Sequence, residues 1–219
     1  MPFEPQACIF DLDGVLVDTA KYHFSAWHRL ADELGVSYDH EDNDQLKGVS
    51  RVDSLEFILR KGDLVLDNDT KVRLMDRKNA WYLEQVESMG PDELFPGAME
   101  FIDELRSAGI GIALGSSSKN APFILSRCGI QDRFDAVIDG NSITFSKPDP
   151  EVFIKGAEAL ASNPNQTVVF EDAVSGVEAA KRGGFRVVGV GDERVLDKAD
   201  FVLGGFEGLS LQNLIERLS

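Results

Sequence analysis

The 219-residue chain lacks an apolar run of the ~20 residues that a membrane-spanning helix needs. Its first residues, MPFEPQ, also lack the basic segment that begins a secretory signal peptide. Cysteine is scarce: Cys8 and Cys128 both stand in apolar surroundings, which favours buried, reduced thiols. Internal repeats and low-complexity tracts are missing too. We therefore expect a cytoplasmic protein with no membrane partner.

Basic residues are few relative to acidic ones. The chain has 22 Lys and Arg against 38 Asp and Glu, a net charge of −16, which argues against nucleic acid or an anionic membrane as a partner. If the substrate carries phosphate, the few cations must be concentrated around it. The 43% hydrophobic and 27% charged fractions are those of an ordinary globular protein, so the chain can bury a core.

The second half of the chain alternates helical and strand patterns. Helical spacing of apolar residues predicts helices over 98–108, 121–128, 151–160 and 174–182, with a further terminal helix. Short apolar runs predict strands over 7–10, 110–114, 136–138, 167–170, 186–190 and 201–203. This alternation predicts the α/β class, with a Rossmann-like, doubly wound parallel sheet covered by helices on both faces.

No strand pattern interrupts residues 19–90. Apolar residues at helical spacing predict one helix that ends at Gly35, a second after Arg51 and a long third over about 70–89. Pro91 and Pro96 flank the return to the α/β pattern, as linker residues do. We therefore predict a core domain of residues 1–16 and 96–219, an inserted all-helical cap domain of residues 17–95, and hinges at 16–19 and 91–95.

Two carboxylates follow the first predicted strand. Asp11 and Asp13 are two residues apart, so in extended chain they point the same way. Like charges held this close repel unless a cation lies between them or one carboxylate keeps a proton. Carboxylate oxygens suit a hard cation such as Mg²⁺. We expect one Mg²⁺ per chain at this strand end.

Polar residues also follow the other strands. GSSSKN (115–120) follows the second strand, Lys147 the third, and Glu171 with Asp172 the fourth. Each alone fits a turn, a surface lysine or an acidic helix start. Because the carboxyl ends of parallel strands meet at one sheet edge, however, the set predicts a single site.

The string DLDGVLVDT (11–19), followed in order by a serine, a lysine and an acidic pair, resembles the motifs of the haloacid dehalogenase superfamily of phosphotransferases. The resemblance implies that Asp11 is the nucleophile, forming an aspartyl-phosphate, and that Asp13 is the general acid and base. It implies that Ser116 and Lys147 bind and neutralise the transferred phosphoryl group. The implied magnesium ligands are Asp11, Asp13 through its backbone carbonyl, Glu171 in an orienting role, and Asp172.

Segments outside these motifs narrow the resemblance. AKYHFSAW, LKGVSRVDSL, DRKN, ALGSSSKN and SKPDP together resemble the β-phosphoglucomutases over nearly the whole chain. That implies interconversion of β-D-glucose 1-phosphate and D-glucose 6-phosphate, with β-glucose 1,6-bisphosphate as intermediate and activator. The second phosphate is expected on Arg51, Ser118, Lys119 and Asn120. The residues expected to surround the sugar or to relay cap closure are His23, Trp27, Gly48, Val49, Ser54 and Lys78.

Other interpretations stay open. Trp27 could equally pack in the interior of the cap, and Lys78 could equally lie on an exposed helix face. Ser117 stands where the family often has a smaller residue, which can alter sugar contacts, and Ala173 where it often has serine. The alternative functions are a sugar-phosphate or phosphoglycolate-type phosphatase, a mutase for another β-hexose 1-phosphate, or a catalytically silent binding protein. We expect a monomer whose partner is a small phosphorylated sugar.

Overall fold

The computed structural model describes residues 3–219, within which the predicted alternation of elements is found. The strands are β1 Ala7–Phe10, β2 Gly111–Gly115, β3 Ala136–Ile138, β4 Thr167–Glu171, β5 Arg186–Val190 and β6 Phe201–Leu203. The helices are α1 Ala20–Glu33, α2 His40–Gln45, α3 Arg51–Lys61, α4 Asn68–Val86, α5 Ala98–Ser107, α6 Ala121–Cys128, α7 Glu151–Ala159, α8 Val174–Arg182 and α9 Leu211–Leu218.

The six strands form one parallel sheet in the order β3-β2-β1-β4-β5-β6. In its centre, Phe10 of β1 pairs with Leu114 on one side and Phe170 on the other. The winding direction reverses between β1 and β4, which is where ligands bind in folds of this class. The expected α/β, Rossmann-like, doubly wound parallel sheet is confirmed.

Alternate strand residues pack on opposite faces of the sheet, because side chains point to opposite sides along a strand. Phe10 joins the cluster formed with α5, α6 and α9, where its ring stacks on Phe170 at 4.6 Å between centroids. Ile9, its neighbour, joins the cluster formed with α7 and α8. Helices therefore bury both faces of the sheet.

Helices α1–α4, here called the cap, form a separate hydrophobic core. Trp27, Leu30, Leu55 and Ile58 are buried there with Leu74. The sequence missed α2, which the structure shows at His40–Gln45. This segment, HEDNDQ, has no apolar periodicity; a capping box between Asp39 and Asp42 starts it instead.

Two short segments connect the cap to the sheet and lie side by side. Val17 bridges to Leu94, and the Phe95 backbone N–H donates to the Leu16 carbonyl at 2.9 Å. These are the segments that the sequence suggested as hinges. The domain limits at residues 16 and 96 stay a prediction.

Cys8 and Cys128 are free and buried, as expected. Burial raises the pKa of the Cys8 thiol. Over residues 3–219, none of the helices combines the length and the apolar character needed to cross a membrane.

Candidate active site

One cavity of about 650 Å³ lies between the cap and the carboxyl ends of the strands. Most of the residues predicted from the sequence line it: Asp11, Asp13, His23, Trp27, Gly48, Val49, Arg51, Ser54, Lys78, Ser116, Ser117, Ser118, Lys119, Asn120 and Asp172. The other two, Lys147 and Glu171, are buried directly behind Asp11. Residues more than 100 positions apart in sequence thus share one site.

Lys147 joins two carboxylates at the end of β1. Its Nζ donates to Oδ1 of Asp11 at 2.8 Å and to Oε1 of Glu171 at 2.5 Å, and all three side chains are buried. Burial alone would lower the pKa of Lys147, but the carboxylates of Asp11 and Glu171 outweigh it and raise that pKa. Lys147 is therefore a fixed positive charge beside the proposed nucleophile.

Asp172 adds a third carboxylate to this end of the cavity. Oxygens of Asp11, Glu171 and Asp172 lie within 4.8 Å of one another. Burial, followed by the charges of Glu171 and Asp11, raises the pKa of Asp172 well above its usual range. Three acids around one buried lysine leave surplus negative charge, so the residues present fit a divalent cation with oxygen ligands.

Asp13 lies beside the cluster, and the cap reaches it. Thr19 Oγ1 donates to Asp13 Oδ1, and Nε2 of His23 is 3.9 Å from the same oxygen. Burial, together with the neighbouring Asp11, raises the pKa of Asp13 to about 6. A carboxyl group in this range can both hold and release a proton near neutral pH.

His23 and Lys78 pair across two cap helices. Nζ of Lys78 lies 3.0 Å from Nδ1 of His23 and above the ring of Trp27, 4.6 Å from its centroid. Burial, with Arg51 nearby, lowers the pKa of Lys78 to about 7, and burial with Lys78 lowers the pKa of His23. Lys78 is thus buried rather than on an exposed helix face, while Trp27 both packs in the cap core and lines the cavity.

Arg51 lines the same cavity, and within residues 3–219 it forms no ion pair with the carboxylates around Lys147; its surroundings are here called the Arg51 end. It is the first residue of α3, and its Nη2 donates to Oδ1 of Asn79 on α4 at 2.8 Å. Nδ2 of Asn120, just before α6 of the core, donates to the same oxygen at 2.9 Å. Lys119 adjoins Asn120, so this end gathers a guanidinium, an ammonium and an amide.

The serines after β2 are held in a tight turn between the two ends. The Ser118 backbone N–H donates to Ser116 Oγ at 3.1 Å, and the Asn120 N–H donates to Ser118 Oγ at 3.2 Å. Ser116 is buried and its hydroxyl hydrogen remains to donate to an anion. Ser117 lines the cavity beside it.

The sequence did not single out Asn79, Lys47 or the loop of residues 143–146 as cavity residues. Lys47 Nζ lies 3.9 Å from Asp172, and Ser146 Oγ donates to Asp53 of the cap at 3.3 Å. Their positions depend on how the cap meets the core, which local sequence patterns do not encode. Asn79 lies within the DRKN segment that supports the family resemblance, but the sequence alone assigned it no role in the site.

Comparison with known proteins shows the family of this chain. The family model of haloacid dehalogenase-like hydrolases matches residues 5–184. The chain therefore belongs to the haloacid dehalogenase-like hydrolase family. The acidic cluster at Asp11 is in keeping with the magnesium dependence of this family.

Within that family the chain belongs with the β-phosphoglucomutases. β-Phosphoglucomutase of Bacillus subtilis (strain 168) is 40% identical over 213 residues, 96% of this chain and 94% of the relative. The crystal structure of β-phosphoglucomutase from Clostridium difficile superposes with a TM-score of 0.94 at 36% identity, covering 98% and 97% of the two chains. A phosphorylated carbohydrates phosphatase of Thermotoga maritima is 33% identical over 84% of this chain and 85% of its own.

Proposed function

We propose that this enzyme interconverts β-D-glucose 1-phosphate and D-glucose 6-phosphate, through an aspartyl-phosphate on Asp11 and β-glucose 1,6-bisphosphate. The observation that carries the proposal is a single cavity with an anion-binding group at each end. Lys147 and the acidic cluster lie at one end, and Arg51 with Lys119 at the other. A bisphosphate needs both ends, whereas a phosphatase needs only the first.

Asp11 would attack the phosphorus atom with one carboxylate oxygen. The Lys147 ammonium donates to Asp11 Oδ1 at 2.8 Å and so holds that carboxylate in place. The Ser116 hydroxyl donates to a phosphoryl oxygen. Transfer between like-charged groups is limited mainly by positioning and charge neutralisation, which these residues supply.

Asp13 would move the proton. It takes the hydrogen from the sugar hydroxyl that attacks the aspartyl-phosphate, and in the reverse direction returns it to the leaving oxygen. The Thr19 hydroxyl and the His23 ring approach its Oδ1, so the cap fixes the orientation of this carboxylate. The resulting coupling ties proton transfer to cap closure.

The metal would be held by Asp11, Asp172 and the Asp13 carbonyl, with Glu171 orienting the set. When bound, Mg²⁺ supplies positive charge that offsets repulsion between the Asp11 carboxylate and the phosphoryl oxygens. The cap covers the cavity, and exclusion of water favours transfer to sugar over hydrolysis.

The proposal includes a monomer as the working oligomeric state, which size-exclusion chromatography with light scattering would test. The cytoplasmic location stays a prediction.

The test is a coupled assay of purified protein with Mg²⁺, β-glucose 1-phosphate and catalytic β-glucose 1,6-bisphosphate. Glucose 6-phosphate and free phosphate are measured in parallel. We expect glucose 6-phosphate without phosphate release, abolished by Asp11→Asn and strongly reduced by Arg51→Ala.

The phosphatase alternative makes the opposite prediction in this assay. The Thermotoga maritima relative is named as a phosphatase for phosphorylated carbohydrates, on the same scaffold. Release of phosphate without isomerisation would contradict the mutase proposal and favour the phosphatase. Activity only with a different β-hexose 1-phosphate would instead change the sugar assignment.

A further inference from the structure

Asn79 joins three elements at the Arg51 end of the cavity. Its side-chain oxygen accepts one hydrogen bond from Arg51 of α3, at 2.8 Å, and one from Asn120 of the core, at 2.9 Å. Asn79 itself lies on α4, is half-buried and lines the cavity. One oxygen atom thus connects two cap helices with the core.

The two donors on Asn79 are groups that the proposed function assigns to the second phosphate. The neutral side-chain oxygen of Asn79 accepts from both Arg51 and Asn120, at a position where a phosphate oxygen would also find two donors. Arg51 uses one N–H on Asn79, which leaves the rest of its planar fork to bind phosphate bidentately. The Asn79 amide nitrogen has no hydrogen-bond partner among residues 3–219 and remains to donate to a ligand.

An acid on the same helix as Asn79 can pair with Arg51. Asp76 lies one turn before Asn79 on α4 and lines the same cavity, and its charge raises the pKa of Arg51 against the larger, opposite effect of burial. Without the Asn79 oxygen, Arg51 is free to turn toward Asp76. In that orientation its charge is neutralised and its fork is unavailable to phosphate.

We propose that Asn79 is a positioning residue for the phosphate at the Arg51 end: its amide oxygen holds Arg51 away from Asp76 and aligns it with Asn120 across the boundary between cap and core. The proposal rests on the proposed function in assigning Arg51 and Asn120 to phosphate. It adds a residue that the site motifs do not include, and it gives that residue a contact with both domains.

The test compares Asn79→Ala with wild type in the Mg²⁺-loaded enzyme. We expect KM for β-glucose 1-phosphate, and the Kd for glucose 6-phosphate measured by calorimetry, to rise about tenfold, with kcat within about twofold. Asn79→Asp should raise both further, because a carboxylate there pairs with Arg51 and repels phosphate. Gln85→Ala, which removes an amide bonded only within the same helix, should leave both constants unchanged.

A double-mutant cycle separates positioning from independent binding. If Asn79 acts through its partners, Asn79→Ala and Asn120→Ala together should raise the Kd by much less than the product of the two single effects. A role confined to helix stability would instead lower Tm and kcat with KM unchanged, and that result would overturn the proposal. Multiplicative effects of the two substitutions would overturn it too.

The experiments also distinguish an error in the proposed function from an error in the role of Asn79. If wild type makes no glucose 6-phosphate, the proposed function is wrong, while calorimetry with wild type and Asn79→Ala still decides the role of Asn79. Weaker binding by the variant then supports it, and equal binding contradicts it. Absence of wild-type binding would contradict both.

Discussion

Lys78 is a buried ammonium group, 3% exposed, enclosed by aromatic rings of the cap. Its desolvation, with Arg51 nearby, lowers its pKa to about 7, against 10.5 for the free side chain. A buried ammonium charge lowers the free energy of unfolding, and buried groups with strongly shifted pKa values are found most often at functional sites.

Lys78→Met should therefore stabilise the protein while impairing catalysis. The folded pKa lies below the unfolded one, so between about pH 7 and pH 10 the unfolded chain binds more protons and the wild-type free energy of unfolding rises with pH. The gain from Lys78→Met should be full below pH 7, on the order of 2–5 kcal/mol, and shrink as pH rises. Urea unfolding at about pH 6 and about pH 9 measures it; a gain that does not change with pH would contradict the assigned cause.

Asp172 offers a prediction on metal removal. Burial and two neighbouring carboxylates raise its pKa, so the charge is destabilising when no cation is bound. In the presence of a chelator, the Tm of Asp172→Asn should be about 2–4 °C higher than that of wild type. Added Mg²⁺ should raise the Tm of the variant by less than it raises the Tm of wild type. Thermal unfolding with EDTA and with Mg²⁺ checks this. If Mg²⁺ raises both Tm values equally, Asp172 is not a ligand.

At the scale of elements, the loop before α3 meets the start of α8. Ser175 Oγ donates to the Lys47 carbonyl at 3.0 Å. Gly48 has φ +70°, and a Cβ there would lie 2.8 Å from Ser175 Oγ. The loop can approach the core this closely because Gly48 has no side chain.

Gly48→Ala should hinder this contact and so hinder cap closure. We expect kcat/KM to fall at least about tenfold, since misplacement of positioning groups is costly. Gly35→Ala is the matched control: Gly35 has the same φ of +70°, and no described atom lies within 4 Å of an added Cβ. Both variants should lose about 1 kcal/mol of stability from backbone strain. Equal kcat/KM in the two variants would mean that the Gly48 contact does not matter.

How far the sequence predicted the structure also depends on the element. Strands β1, β3, β5 and β6 have the predicted bounds, because a short apolar run between turn residues is typical of a buried strand. Helix α2 was missed because polar capping, rather than burial of an apolar face, starts it. At the site, residues that follow strands were predictable from topology. The contacts of Asn79 and Lys47 were not predictable, because they depend on how the cap packs against the core.

Considered as a whole molecule, the protein concentrates its few cations. Against a net charge of −16, Lys147, Lys78, Arg51 and Lys119 all border or adjoin one cavity. Polar contacts, including Asn79 with Asn120 and Ser146 with Asp53, join cap and core beside that cavity. In the proposed function, this arrangement would hold the two phosphate groups of one substrate and limit their contact with water.

The proposed function requires that the phosphoryl group passes from Asp11 to sugar and not to water. The most direct measurement is a ³¹P NMR time course of wild-type enzyme with Mg²⁺, β-glucose 1-phosphate and catalytic β-glucose 1,6-bisphosphate. We expect the signal of the 1-phosphate to be replaced by that of glucose 6-phosphate, with no growth of inorganic phosphate on the same time scale. Growth of inorganic phosphate in step with loss of the 1-phosphate would contradict it.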